Sequence, residues 1–122
     1  MRILVVDDDQ MMLAAISKKL EENDYMVSTT TDAVEALKIL SDEKIDLVIS
    51  DVIMPCISGL TFLSMLKNFY YSKVPMILIS SYNQDAILQK AQNLGASYFI
   101  AKPIDYDHLI LKIREFTSDV SA

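Results

Sequence analysis

Ile3-Leu4-Val5-Val6-Asp7-Asp8-Asp9 is the stretch that decides the fold. An unbroken apolar run of this length suits a strand covered on both faces, whereas a strand with one wet face alternates. Three aspartates then end the run. Working outward, comparable runs lie at Ile3–Val6, Met26–Thr30, Ile45–Ile49, Met76–Ile79 and Tyr98–Ile100. Each is followed by a segment of helical period. Leu13, Ile16 and Leu20 share one face in the first. Ala33, Ala36, Leu37 and Leu40 do so in the second, with Asp32 and Glu35 spaced as a capping box. The third carries Phe62, Leu63 and Leu66. Ile87, Ala91 and Leu94 mark the fourth, and Gly95 stands where a left-handed C-terminal cap belongs. The fifth starts at Asp105 and carries Leu109, Ile113 and Phe116. The pattern predicts an α/β fold of (βα)₅ type, a doubly wound parallel five-stranded sheet with helices on both faces.

The 122 residues suit one domain, expected over residues 1–118 with a polar tail at 119–122. An apolar fraction of 52% excludes intrinsic disorder. Seventeen acidic residues against 11 basic ones leave a net charge of −6, and no basic cluster offers a nucleic-acid-binding face. The single cysteine, Cys56, excludes an internal disulfide and predicts a reduced thiol in a reducing, cytoplasmic setting. No signal peptide or membrane segment is predicted, because the apolar run after Met1-Arg2 is too short for either. The two glycines and three prolines are scattered, so no linker is expected.

Ligands of open parallel sheets bind outside the carboxyl ends of the strands. There the sequence sets Asp7, Asp8 and Asp9 after the first run, Ser50 and Asp51 after the third, Ser80 and Ser81 after the fourth, and Lys102 after the fifth. Thr29, Thr30 and Thr31, after the second, read as helix-entry residues. Carboxylates gathered at about 4 Å repel by on the order of 4 kcal/mol per pair at an effective dielectric near 20. Protonation, dispersal or a cation would relieve this, and an all-oxygen acidic site suits Mg²⁺, with Mn²⁺ as a substitute. Lys102 and the Ser80 hydroxyl suit two oxygens of a phosphoryl group, and an Asp can accept that group as an acyl phosphate.

The segments Ile3-Leu4-Val5-Val6-Asp7-Asp8-Asp9, Asp51-Val52-Ile53-Met54-Pro55-Cys56-Ile57-Ser58-Gly59, Ile79-Ser80-Ser81 and Lys102-Pro103 together resemble receiver domains of bacterial two-component response regulators. Each is weak alone; all four, in order and at strand ends, are specific. The resemblance covers nearly the whole chain and implies a flavodoxin-like fold with strand order 2-1-3-4-5, an order known for this family. It implies that Asp51 is the phosphoryl acceptor. Asp8 would bind Mg²⁺ directly and Asp7 directly or through water, with Asp51 and the main-chain carbonyl of Ile53 as further ligands. Ser80 and Lys102 would hold the phosphoryl group, and a cis Lys102–Pro103 bond would aim the lysine. Phe99 matches an aromatic that changes rotamer on activation in this family, where many members carry Tyr. Ser81 departs from the usual Ala or Gly. Ile53 and Tyr82 occupy positions that tune loss of the phosphoryl group, and an apolar residue with an aromatic there predicts a long-lived phosphorylated state.

The implied partners are a sensor histidine kinase or phosphotransfer protein and an unknown output partner or fused effector, with no nucleic acid and no membrane. Output is expected on the face formed by the fourth helix, fifth strand and fifth helix, and a homodimer through that face is one alternative. No effector follows the fifth helix, so a stand-alone receiver and a fragment of a longer regulator or hybrid kinase both stay open. Two other functions compete. A small Mg²⁺-dependent phosphohydrolase of the haloacid dehalogenase type also uses a strand-end Asp nucleophile, but Gln10 and Met11 break its motif and the chain is short for a substrate cap. A degenerate receiver that only binds proteins is the other, and the intact acid set argues against it. No small-molecule turnover is expected. Simpler roles are a helix cap for Asp9, core filler for Phe99, core or docking for Met11 and Met12, and a solvated His108.

Overall fold

The computed structural model describes residues 1–68, 70, 72–81 and 85–117. The expectations placed on Tyr82 and on residues 119–122 lie outside them. Elements alternate as β1 (Arg2–Val6), α1 (Gln10–Glu22), β2 (Met26–Thr30), α2 (Ala33–Asp42), β3 (Leu47–Asp51), α3 (Gly59–Asn68), β4 (Met76–Ser80), α4 (Asp85–Asn93), β5 (Tyr98–Ala101) and α5 (Tyr106–Thr117). All four strand pairings are parallel, in the order β2-β1-β3-β4-β5. This is the flavodoxin-like arrangement.

Alternation of side chains along each strand divides the core into two layers. Leu4, Val6, Val48 and Leu78 meet Ala33 and Ala36 of α2, Phe62, Leu63 and Leu66 of α3, and Ala91 of α4. Ile3, Val5, Leu47, Ile49, Ile77 and Ile79 meet Leu13, Ile16 and Leu20 of α1 and Leu109, Ile110 and Ile113 of α5. Each fully buried aliphatic side chain contributes about 1.5–3 kcal/mol of transfer free energy. The central strands are apolar on both sides for this reason. The edge strand β2 is wetter, with Met26 and Thr29 exposed.

Local chemistry sets the helix ends. Asp9 caps α1 by accepting from the N–H groups of Met11 and Met12, and Asp32 caps α2 through Val34 and Glu35. Gly95 follows α4 at φ +96°, the left-handed cap expected of it. Asp105 accepts from Asp107 and His108 at the start of α5.

The third strand departs from expectation. It runs over Leu47–Asp51 instead of Ile45–Ile49. Ile45 is buried without joining the sheet, and Asp46 spends its carboxylate on the Arg2 N–H at 2.9 Å. Ser50 pairs with Val6 and Leu78, and Asp51 with Ile79. An apolar run reports burial, but the ladder continues wherever backbone partners exist. Asp51 and Ser80 are therefore the last residues of their strands, not residues beyond them.

Candidate functional site

The parallel register brings the carboxyl ends of β1, β3, β4 and β5 to one edge of the sheet. Asp7 follows β1 directly and is 1% exposed, while Asp51 ends β3 at 7%. Asp8 is exposed. The three residues each offer a carboxylate oxygen within 4.8 Å of the others. At that spacing each charged pair costs on the order of 3–4 kcal/mol at an effective dielectric near 20. Lys102, after β5, answers part of this: its Nζ lies 3.3 Å from Asp51 Oδ2 and 3.6 Å from Asp7 Oδ2.

Main-chain groups hold the cluster in place. The Asp7 N–H donates to the Thr30 carbonyl at 3.2 Å, and the Asp9 N–H donates to Asp7 Oδ1 at 2.9 Å. The Ile53 N–H reaches Asp51 Oδ1 at a long 3.4 Å. The Lys102 N–H donates to the Ser80 carbonyl at 2.9 Å, which ties the ends of β4 and β5 together. The Lys102–Pro103 peptide is cis, as the resemblance implies.

Burial raises the pKa of Asp7 above its ordinary value. The N–H of Asp9 opposes this, the charge of Asp51 adds to it, Lys102 opposes it, and Asp8 adds to it again. The donor set is all oxygen, and exposed Asp8 leaves one side open to water, so the residues present fit a hard divalent cation such as Mg²⁺. A hollow of 430 Å³ near β2, lined by Thr29, Thr30 and Thr31, shares none of these carboxylates.

Of the residues singled out from the sequence, Asp7, Asp8, Asp51 and Lys102 converge directly. Ser80 is fully buried at the end of β4 beside them in the sheet. Ile53 is 54% exposed in the loop after Asp51. Phe99 is half-buried, packs into the α2–α3–α4 layer and shares a hollow of 320 Å³ with Leu88 and Ala91 of α4. Asp9 is a cap, and Cys56 is exposed with φ +68°. Met11 is 83% exposed, so it is not core. His108 is not simply solvated: it is half-buried, and its Nε2 lies 3.1 Å from the Tyr98 hydroxyl.

Two residues beside Asp51 received no role from the sequence: Ser50, at the strand end, and Gly59, in the quoted motif. A Cβ at Gly59 would overlap the main-chain oxygen of Asp51 and lie 2.9 Å from Val52 Cα. Only glycine lets α3 begin so close to the strand end. Ser50, inside an otherwise apolar strand, donates its hydroxyl to the same Asp51 oxygen at 3.0 Å. A polar residue interrupting an apolar run just before a strand-end acid was the available signal.

A parallel sheet of this order with acids and a lysine gathered at its carboxyl edge defines a class of signalling domain. The family model of the response regulator receiver domain matches residues 3–114, and the chain belongs to that family. It is 32% identical over 118 residues to the transcriptional regulatory protein CrdR of Helicobacter pylori, covering 97% of this chain and 55% of that protein. It is 36% identical over 114 residues to the CAI-1 autoinducer sensor kinase/phosphatase CqsS of Vibrio cholerae, covering 92% of this chain and 17% of that protein. The receiver domain of the Francisella response regulator 1452 superposes with a TM-score of 0.92 at 25% identity, over 98% of each chain. The chain thus spans about half the length of one curated relative and a small part of the other. It is a receiver domain of the two-component type.

Proposed function

We propose that residues 1–118 form a phospho-accepting switch in which Asp51 takes a phosphoryl group from the phosphohistidine of a sensor kinase or phosphotransfer protein. One observation carries the reading: carboxylates from β1 and β3 share a single ammonium that arrives from β5. In the transfer, an Asp51 carboxylate oxygen bonds to phosphorus as the donor's P–N bond breaks. The imidazole leaves with the electron pair and takes up a proton from solvent, and Asp51 becomes an acyl phosphate. Asp7, Asp8, Asp51 and the Ile53 carbonyl would hold Mg²⁺, which supplies charge neutralisation for the phosphoryl oxygens when bound. Lys102 exchanges its contact with Asp51 for one with a phosphoryl oxygen, and the Ser80 hydroxyl donates to another.

The added charge of about −1.5 to −2 biases two arrangements of the domain. Phe99, on β5 against α4, is positioned to carry that bias to the α4-β5-α5 face, where an output partner, a fused effector or a second copy would dock. The reading involves no small-molecule turnover and suits a cytoplasmic setting. Intact mass after treatment with acetyl phosphate and Mg²⁺ tests it. Wild type should gain one phosphoryl group and Asp51→Asn none; equal labelling of the two overturns the assignment.

A further inference from the structure

Ser50 is fully buried, with Val6 of β1 and Leu78 of β4 as its register neighbours. A hydroxyl taken from water into apolar surroundings is costly unless hydrogen-bonded, so packing alone favours an aliphatic side chain here. The Ser50 hydroxyl spends its proton on the main-chain oxygen of Asp51, at 3.0 Å. Gly59, where a Cβ would overlap that same oxygen, leaves it room, and the Gly59 N–H donates to the Val52 carbonyl at 2.7 Å. The peptide unit after the acceptor is therefore held at its oxygen by Ser50 and at its N–H by the Ile79 carbonyl at 2.9 Å, and the next unit is held by Gly59. The Asp51 side chain and the Ile53 main chain both leave from this restrained segment.

We infer that Ser50 is a positioning residue for phosphoryl transfer: its hydroxyl, acting with Gly59, fixes the peptide that aims the Asp51 carboxylate. The assignment rests on Asp51 being the acceptor. It touches neither the phosphoryl group nor the cation, and acts only through the Asp51 backbone. Small errors in the aim of a reacting group lower rate far more than they lower stability.

The test compares wild type, Ser50→Ala and Asp51→Asn as full chains. Labelling by acetyl phosphate is timed at saturating Mg²⁺, well below the unfolding midpoint of each. Circular dichroism measures the folded fraction. Ser50→Ala should label about three- to tenfold more slowly than wild type. The amide resonances of Val52 and Ile53 should move, while those of β2 hold. A Ser50→Ala rate within about twofold of wild type, once corrected for the folded fraction, overturns the assignment. Wild type that takes up no phosphoryl group overturns the acceptor reading itself, so the two failures are distinguishable.

Discussion

The two ends of the parallel sheet both gather charge, and they handle it differently. At the amino ends of β1 and β3, the Arg2 N–H donates to Asp46 at 2.9 Å. The Ser28 hydroxyl donates to Glu43 at 2.7 Å, and the Arg2 guanidinium lies 3.9 Å from the same carboxylate. Arg2 and Lys44 lie beside Glu43 and Asp46, so no excess of negative charge collects there. At the carboxyl ends, Asp7, Asp8 and Asp51 share Lys102, which leaves an excess of two negative charges. That excess costs stability unless a cation offsets it. Excess negative charge at one end and none at the other separates the end whose residues fit a cation from the end that closes the structure.

A divalent ion should separate the two ends most. Mg²⁺ at a hundredfold above its Kd adds about 2.7 kcal/mol to the folded state if the unfolded chain does not bind it. Thermal unfolding with Mg²⁺ and with EDTA should show that gain in wild type and in Glu43→Gln, and lose most of it in Asp8→Asn. A Glu43→Gln protein that loses the gain as well would break the comparison.

Removing a charge partner comes next. Lys102→Met in EDTA should cost about 2 kcal/mol, below the full penalty for breaking a buried pair because the lysine keeps some contact with water. Glu43→Gln, at the amino end, should cost less than about 0.5 kcal/mol. Urea unfolding of the two variants side by side checks this, and equal losses would contradict it.

Asp7 sharpens the contrast through pH. Its folded pKa is raised, chiefly by burial, above the ordinary value of 3.8. Between those two values the folded state binds more protons than the unfolded chain, so the stability attributable to Asp7 falls as pH rises. The slope is at most about 1.4 kcal/mol per pH unit for a single proton. Metal-free Asp7→Asn should lose this component and be the more stable protein at neutral pH. Urea midpoints of both proteins from about pH 4 to about pH 7 measure it.

The smallest effect concerns backbone strain, present once at each end. Cys56, after β3, and Asp24, before β2, are the two non-glycine residues at positive φ, both 68°, among the described residues. Cys56→Gly should stabilise by about 1 kcal/mol, while Asp24→Gly should gain less because Asp tolerates this region. Chemical denaturation of each variant resolves the difference.

Much of this was legible before any coordinates. Parallel strands buried on both faces leave apolar runs too dense to miss, and Asp9, Asp32 and Gly95 announced helix ends through local chemistry. The limits of β3 were not legible, because backbone pairing continues through Ser50 and Asp51 regardless of polarity. His108 looked solvated because its partner, Tyr98, lies on another element. Gly59 stood in a quoted motif, yet its closeness to the Asp51 carbonyl is a distance between two elements that no spacing encodes.

Sequence by itself determined the alternation of elements, the two-sided burial of the sheet and the stock of acids, hydroxyl and amine at strand ends, since these depend on local periodicity and composition. The tertiary structure decided which of those groups share space. Only the register of β1, β3 and β5 sets three carboxylates within 4.8 Å of one another under one lysine. Electrostatic energy depends on separation in space, and separation along the chain carries almost none of that information.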